Sequence, residues 1–125
     1  MVLDYDVFKL GDVHLQRGGV LVDAELAYKT YGTLNAAKSN VVLLPTFYTG
    51  THRRNEGFFG NHRAINPSEH FIVSINMFGN GLSTSPSNAR DPCRAAAFPT
   101  VTLWDNVACQ RRLLSEALDV ERIAL

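Results

Sequence analysis

The chain has 125 residues, 46% of them hydrophobic and 19% charged, with Lys+Arg and Asp+Glu at 12 each. That is the size and composition of one ordinary globular domain. Zero formal net charge without a basic cluster argues against nucleic acid, whose binding runs on phosphate neutralisation, and against a polybasic membrane anchor.

The opening residues carry two early acids, Asp4 and Asp6, and no cationic stretch, so they are not expected to form a signal peptide. Val7-Phe8-Lys9-Leu10 and Val13-His14-Leu15-Gln16 flank Gly11-Asp12, which predicts a short hairpin turning at Gly11. Arg17-Gly18-Gly19 breaks it, and Ala24 to Tyr31 reads as a third extended stretch, giving three antiparallel entry strands. Val41-Val42-Leu43-Leu44 is a continuous aliphatic run, the pattern of a strand buried on both faces and far too short to span a bilayer. A polar and aromatic loop follows, with a helical turn expected between Arg54 and Ala64. Phe71-Ile72-Val73-Ser74-Ile75 is the second buried run, and a Gly/Ser/Asn/Pro-rich loop extends from Asn76 to Pro99.

From Thr102 a helix is signalled by a capping box with Asp105. Leu103, Val107, Leu114 and Leu118 recur on its expected apolar face, Trp104 is expected in packing, and Arg111, Arg112 and Glu116 fall towards solvent. Asp119 closes the helix, and Arg122-Ile123-Ala124-Leu125 opens a further apolar strand. The stretch from Phe71 onwards is therefore one βαβ unit with a parallel sheet and a right-handed crossover. The fold class is α/β in a single domain spanning 1–125, and Cys93 and Cys109 are expected as reduced thiols in a cytoplasmic protein.

In a parallel sheet, ligands bind beyond the carboxyl ends of the strands. Two loops leave such ends, "PTFYTGTHRRNEG" and "NMFGNGLSTSPSN", and both hold glycines, hydroxyls and aromatics suited to a site built from backbone N–H groups. Gly81-Leu82-Ser83-Thr84-Ser85 nearly matches a G-x-S-x-G nucleophile elbow, but Ser85 replaces the last glycine and Pro86 stands where a helix should begin. His52, Glu56 and His62 lack the H-E-x-x-H order, so no metal is expected, and these residues read as polar surface or substrate loop. Gly79 and Gly81 do not lead into a helix with a Lys-Ser/Thr pair, which leaves a nucleotide site without support.

"AYKTYGTLN" at 27–35, "YTGTH" at 48–52, "NMFGNGLSTSPSN" at 76–88 and "FPTVTLWDNVACQRRLL" at 98–114 together resemble, in order, motifs of the homoserine O-acetyltransferase family of α/β-hydrolases. The resemblance implies the N-terminal part of an α/β-hydrolase fold that ends before the nucleophile elbow. It implies two-step transfer of an acyl group, from a thioester such as acetyl-CoA, through a serine to an alcohol. By position, Tyr48 supplies an oxyanion-hole backbone N–H, and Phe47, Thr49, Gly50 and Asn76 are the expected substrate-binding residues. Thr46 stands where the family has a loop histidine, and the loop at 79–86 is one residue shorter than the family's, which fits a different acceptor or water. The nucleophilic serine, the acid and the histidine are not found among these residues, so the 125 residues alone are expected to be inactive. No cofactor is expected to be held, and acetyl-CoA or another acyl-CoA would be a co-substrate. The expected partner is a small-molecule substrate, with homodimer formation or association with the rest of the domain as the macromolecular contacts. Two alternatives stand beside transfer: a carboxylic-ester hydrolase of the same fold, and a non-catalytic half-domain that pairs with another chain.

Overall fold

A computed structural model describes residues 3–125. Strands β1 (Asp6–His14), β2 (Val20–Tyr31), β3 (Val41–Pro45) and β4 (Phe71–Ile75) form one sheet in the order β1-β2-β4-β3. The pairs β1/β2 and β2/β4 are antiparallel, and β4/β3 is parallel. A short helix α1 (His52–Asn55), continued by a 3-10 turn at Glu56–Phe58, follows β3. Helix α2 (Leu103–Arg112) follows the long loop after β4.

The entry region has two long strands rather than the three predicted. Gly11-Asp12 is a β-bulge inside β1, not a hairpin turn, and it opposes a second irregularity at Asp23, whose φ is +47°. Asp23 N–H closes the gap onto Asp12 Oδ1 at 3.0 Å. The bulge resets the two-residue alternation, so Leu10 and Val13 on β1, and Leu21 and Ala24 on β2, all reach the same core. The true turn lies after Leu15, closed by Gly18 N–H on Leu15 O at 3.0 Å and by Leu15 N–H on Gly19 O at 3.1 Å.

Val41, Val73 and Ile75 pack on this core together with Cys109, Leu113 and Leu114 from the α2 side, while Val42 and Ile72 are buried on the opposite face. The buried-strand expectation therefore holds at β3 and β4. Residues 122–125 run beside the free edge of β3: Ala124 N–H donates to Val41 O and Leu43 N–H to Leu125 O, both at 2.8 Å. This is the pairing of a parallel neighbour reached by a crossover through α2.

Helix α2 begins as predicted, with Thr102 and Asp105 forming a reciprocal capping box. Its orientation does not match the predicted apolar stripe. Leu103, Trp104 and Val107 are 71%, 66% and 64% exposed, whereas Asp105, Asn106, Cys109 and Gln110 are buried. The reason is polar: Asp105 Oδ1 accepts from Gln16 N–H at 2.8 Å, and Asn106 Oδ1 accepts from Phe78 N–H at 2.9 Å. These anchors turn the polar side of the first two turns inward. After Arg112 the helix widens into one π turn, Leu113–Ala117, and ends before Asp119, whose φ is +53°.

Gly32 ends β2 with φ +80°, and a Cβ there would lie 2.2 Å from His70 O and 2.5 Å from Pro67 O. Both obstacles are backbone, so the clash has no flexible side chain to absorb it. Gly32→Ala is expected to destabilise the fold by roughly 2 kcal/mol or more, read from the shift in the urea unfolding midpoint.

Candidate active site

The loops leaving β3 and β4 enclose an open cleft of about 550 Å³, lined by residues 46–51, residues 77–80 and Leu103. It sits beyond the carboxyl ends of the two parallel strands, where ligands of such sheets bind. A second cleft of about 550 Å³, lined by charged residues including Asp23, Glu25, Arg90 and Arg94, lies over the bulged part of β2, away from these strand ends.

Phe47, Tyr48, Thr49 and Gly50 form a tight turn closed by Gly50 N–H on Phe47 O at 2.9 Å. Thr49 sits at its third position with φ +66°, a left-handed conformation uncommon for a β-branched residue. Backbone strain of this kind persists only where the surroundings over-determine it. Tyr48 is 93% exposed at the tip, and its N–H makes no hydrogen bond within the described residues. The Phe47 ring is fixed between the edge of Phe58, 6.1 Å away, and the Arg54 guanidinium, 5.3 Å above its face.

Beneath the cleft lies a layer of buried neutral polar groups. Thr46 N–H donates to Ile75 O at 3.0 Å, and its hydroxyl accepts from Met77 N–H at 3.0 Å, so one residue ties both strand exits together. Asn55 Nδ2 reaches Leu44 O and Ser74 Oγ, each at 2.9 Å, and bolts α1 to the ends of β3 and β4. Asn76, expected at the substrate, lies below it: the side chain is fully buried and does not line the cleft. Its Oδ1 accepts from His52 N–H and Asn80 Nδ2, and its Nδ2 donates to Ala27 O and approaches His52 Nδ1. Every hydrogen-bonding position is occupied, so Asn76 positions the loops rather than meeting a ligand.

His52 is buried to 1% exposure, so of the two expectations for it, polar surface or substrate loop, the surface one does not hold. Its Nε2 lies 3.2 Å from Asp4 Oδ2, and Tyr5 stands edge-on to its ring at 5.7 Å. Glu56 accepts instead from the Tyr31 hydroxyl at 2.8 Å. No group of three His, Cys, Asp or Glu side chains among the described residues could hold a metal ion.

The hydroxyls of "GLSTS" are consumed by backbone. Ser83 Oγ donates to Asn76 O at 2.6 Å and accepts from Ala27 N–H at 2.9 Å, and Ser85 Oγ donates to Ser83 O at 2.7 Å and accepts from Gly81 N–H at 2.8 Å. No serine hydroxyl among the described residues is hydrogen-bonded to a histidine, the minimum for an activated nucleophile. Burial pushes the Cys109 thiol up to about 11, and Cys93 donates to Val20 O, so neither thiol is a poised nucleophile.

The loops are legible in the sequence, and the braces are not. Asn55 and Asn106 carried no motif; the one available signal was a polar residue interrupting an apolar or helical pattern.

The described residues form the N-terminal portion of an α/β-hydrolase fold, with relatives among esterases and homoserine O-acyltransferases. No family model matches the chain. It is 44% identical over 121 residues to a probable esterase of Corynebacterium glutamicum, covering 95% of this chain and 35% of that protein. It is 39% identical over 115 residues to a homoserine O-acetyltransferase of Chlorobium chlorochromatii, covering 86% of this chain and 32% of that protein. Among solved structures, an acetylester hydrolase from C. glutamicum superposes with a TM-score of 0.86 at 46% identity, over 90% of this chain and 33% of that one. The chain thus spans about a third of the length of the curated relatives it matches. No helix of the described residues is long and apolar enough to cross a membrane.

The carboxylate of Asp4 is held down to about 2, first by the hydrogen bond from Arg53 and then by that from His52. A folded-state value below the ordinary 3.8 means the interaction stabilises fully above that value and fades as pH falls through about 2. Acid unfolding followed by circular dichroism should therefore show a stability loss between roughly pH 4 and 2 that Asp4→Asn largely removes.

Proposed function

We propose that this chain supplies the oxyanion wall of a serine-dependent acyl-transfer site, and that the protein carrying it hydrolyses small carboxylic esters, acetyl esters in particular. The observation that carries this reading is the Tyr48 amide: a backbone donor at the tip of a braced turn, lining the cleft, with no acceptor of its own among the described residues. Such a donor suits an ester carbonyl oxygen that gains negative charge as the carbon becomes tetrahedral, a role often worth about 3 to 4 kcal/mol. In this reading a serine oxygen attacks the acyl carbon and the alcohol leaves with a proton. Water then attacks the acyl-enzyme and releases the acid. The serine, its histidine and the acid come from sequence outside the stretch matched to the relatives.

One observation favours water over homoserine as acceptor: the esterase relative is 44% identical and the homoserine O-acetyltransferase 39%. Transfer from acetyl-CoA to homoserine is the second reading, supported by the ordered motifs it shares with that family. No bound cofactor is needed in either reading. A cytoplasmic location belongs to the same proposal, supported by two free, buried thiols.

The full-length protein is expected to turn over acetyl esters faster than it moves acetyl from acetyl-CoA to homoserine; the reverse preference would establish the second reading instead. Within that protein, Tyr48→Ala should retain kcat within a few-fold, because the donor is backbone. Tyr48→Pro deletes the N–H at a turn position proline favours, and kcat should fall roughly 10²- to 10³-fold. Equal effects of the two substitutions would sink the oxyanion role.

A further inference from the structure

His52 has no part in the reaction proposed above, yet it opens α1 two residues after the turn that carries Tyr48, with its ring against Asn76. Its protonation pattern follows from its partners. Asn76 Oδ1 accepts from the His52 backbone N–H at 3.1 Å, and Asn76 Nδ2 donates to Ala27 O at 3.0 Å. Both partners are main-chain groups with one available role each, so the amide has one orientation. Its Nδ2 meets His52 Nδ1 at 3.1 Å as a donor, and Nδ1 is therefore the unprotonated ring nitrogen. The ring proton is left on Nε2, facing Asp4 Oδ2 at 3.2 Å.

We propose that His52, in this Nε2–H tautomer, is a positioning residue for the Tyr48 N–H, clamping the first residue of α1 to the end of β4 and so fixing the turn ahead of it. The proposal rests on the acyl-transfer reading of the cleft. The mechanical link is short: His52 N–H is held by Asn76, Asn80 Nδ2 reaches Gly50 O at 3.4 Å, and Gly50 N–H closes the turn on Phe47 O. The His52 ring holds Asn76 in place from the other side. Loss of that ring contact removes one of the four partners that hold the amide and loosens the anchor of the turn, and a displacement near 1 Å at a reacting centre costs on the order of 100-fold in rate.

The test uses the full-length protein with selectively ¹⁵N-labelled histidine. The ring spectrum of His52 should show an unprotonated Nδ1 and a protonated Nε2; a proton on Nδ1 would overturn the assignment. With an acetyl ester as substrate, His52→Ala should lower kcat roughly 10- to 100-fold with KM within about twofold. His52→Asn places an acceptor near the Nδ1 position and should recover most of that loss. If both variants melt cooperatively and lose kcat equally, or if the loss falls in KM, the positioning role is wrong. An unmutated protein that turns over no acetyl ester would defeat the esterase reading alone. The brace would then be judged by amide exchange at Gly50 and at residue 52. Protection lost in His52→Ala and regained in His52→Asn supports it, and equal protection in both overturns it.

Discussion

The carboxamide of Asn76 is the junction on which the rest of the site depends. It stands at the residue after β4, where the sheet hands over to two irregular loops, and it is fully buried. Its own N–H and its Nδ2 both reach Ala27 O, which holds β4's exit against β2, while its Oδ1 holds the start of α1 and the side chain of Asn80. A hydrophobic side chain could fill the same volume but would leave the His52 N–H unsatisfied, a cost of about 1 to 3 kcal/mol for a buried group, and would keep only the backbone bond to Ala27 O. An aspartate would satisfy the N–H and turn a second oxygen against Ala27 O. Only a neutral group with a donor and an acceptor on one planar head meets both demands.

The same logic extends through the layer beneath the cleft. Thr46, Asn55, Asn76, Ser83 and Asn106 are uncharged and each is bonded to backbone of a different segment, while Ser85, also uncharged, is bonded to backbone of its own loop. In a low-dielectric interior a carboxylate in any of these places would oppose negative charge developing at the cleft above. Asp105 is the one carboxylate buried among the described residues. Burial alone would raise it, but hydrogen bonds from Thr102 and from Gln16 N–H outweigh that effect and hold it low.

Legibility in the sequence followed the range of the interactions. The runs at Val41–Leu44 and Phe71–Ile75 announced β3 and β4 because burial on both faces leaves an aliphatic signature. The capping box at Thr102 is local chemistry and was equally plain. The boundary of the first two strands is not legible, because a bulge imitates a turn in one dimension and Gly11 satisfies either. The inward face of helix α2 is not legible, because periodicity weighs Leu103 and Val107 as core. The structure instead turns inward Asp105 and Asn106, which accept hydrogen bonds from Gln16 N–H and Phe78 N–H, 89 and 28 residues away. The cleft was legible as two loops at strand ends. The role of His52 was not, because it depends on Asp4 and Asn76, 48 and 24 residues away.

The paired irregularity of Gly11 and Asp23 has a consequence for β1 as the border of the sheet. An uninterrupted nine-residue edge strand would offer a regular row of free amides and carbonyls to any extended segment of another molecule. The bulge divides that row into two short stretches with different twist, so a foreign strand that matches one half falls out of step with the other. The device that aligns Leu10 with Val13 in the core thus also protects the open side of the sheet against unwanted cross-β recruitment.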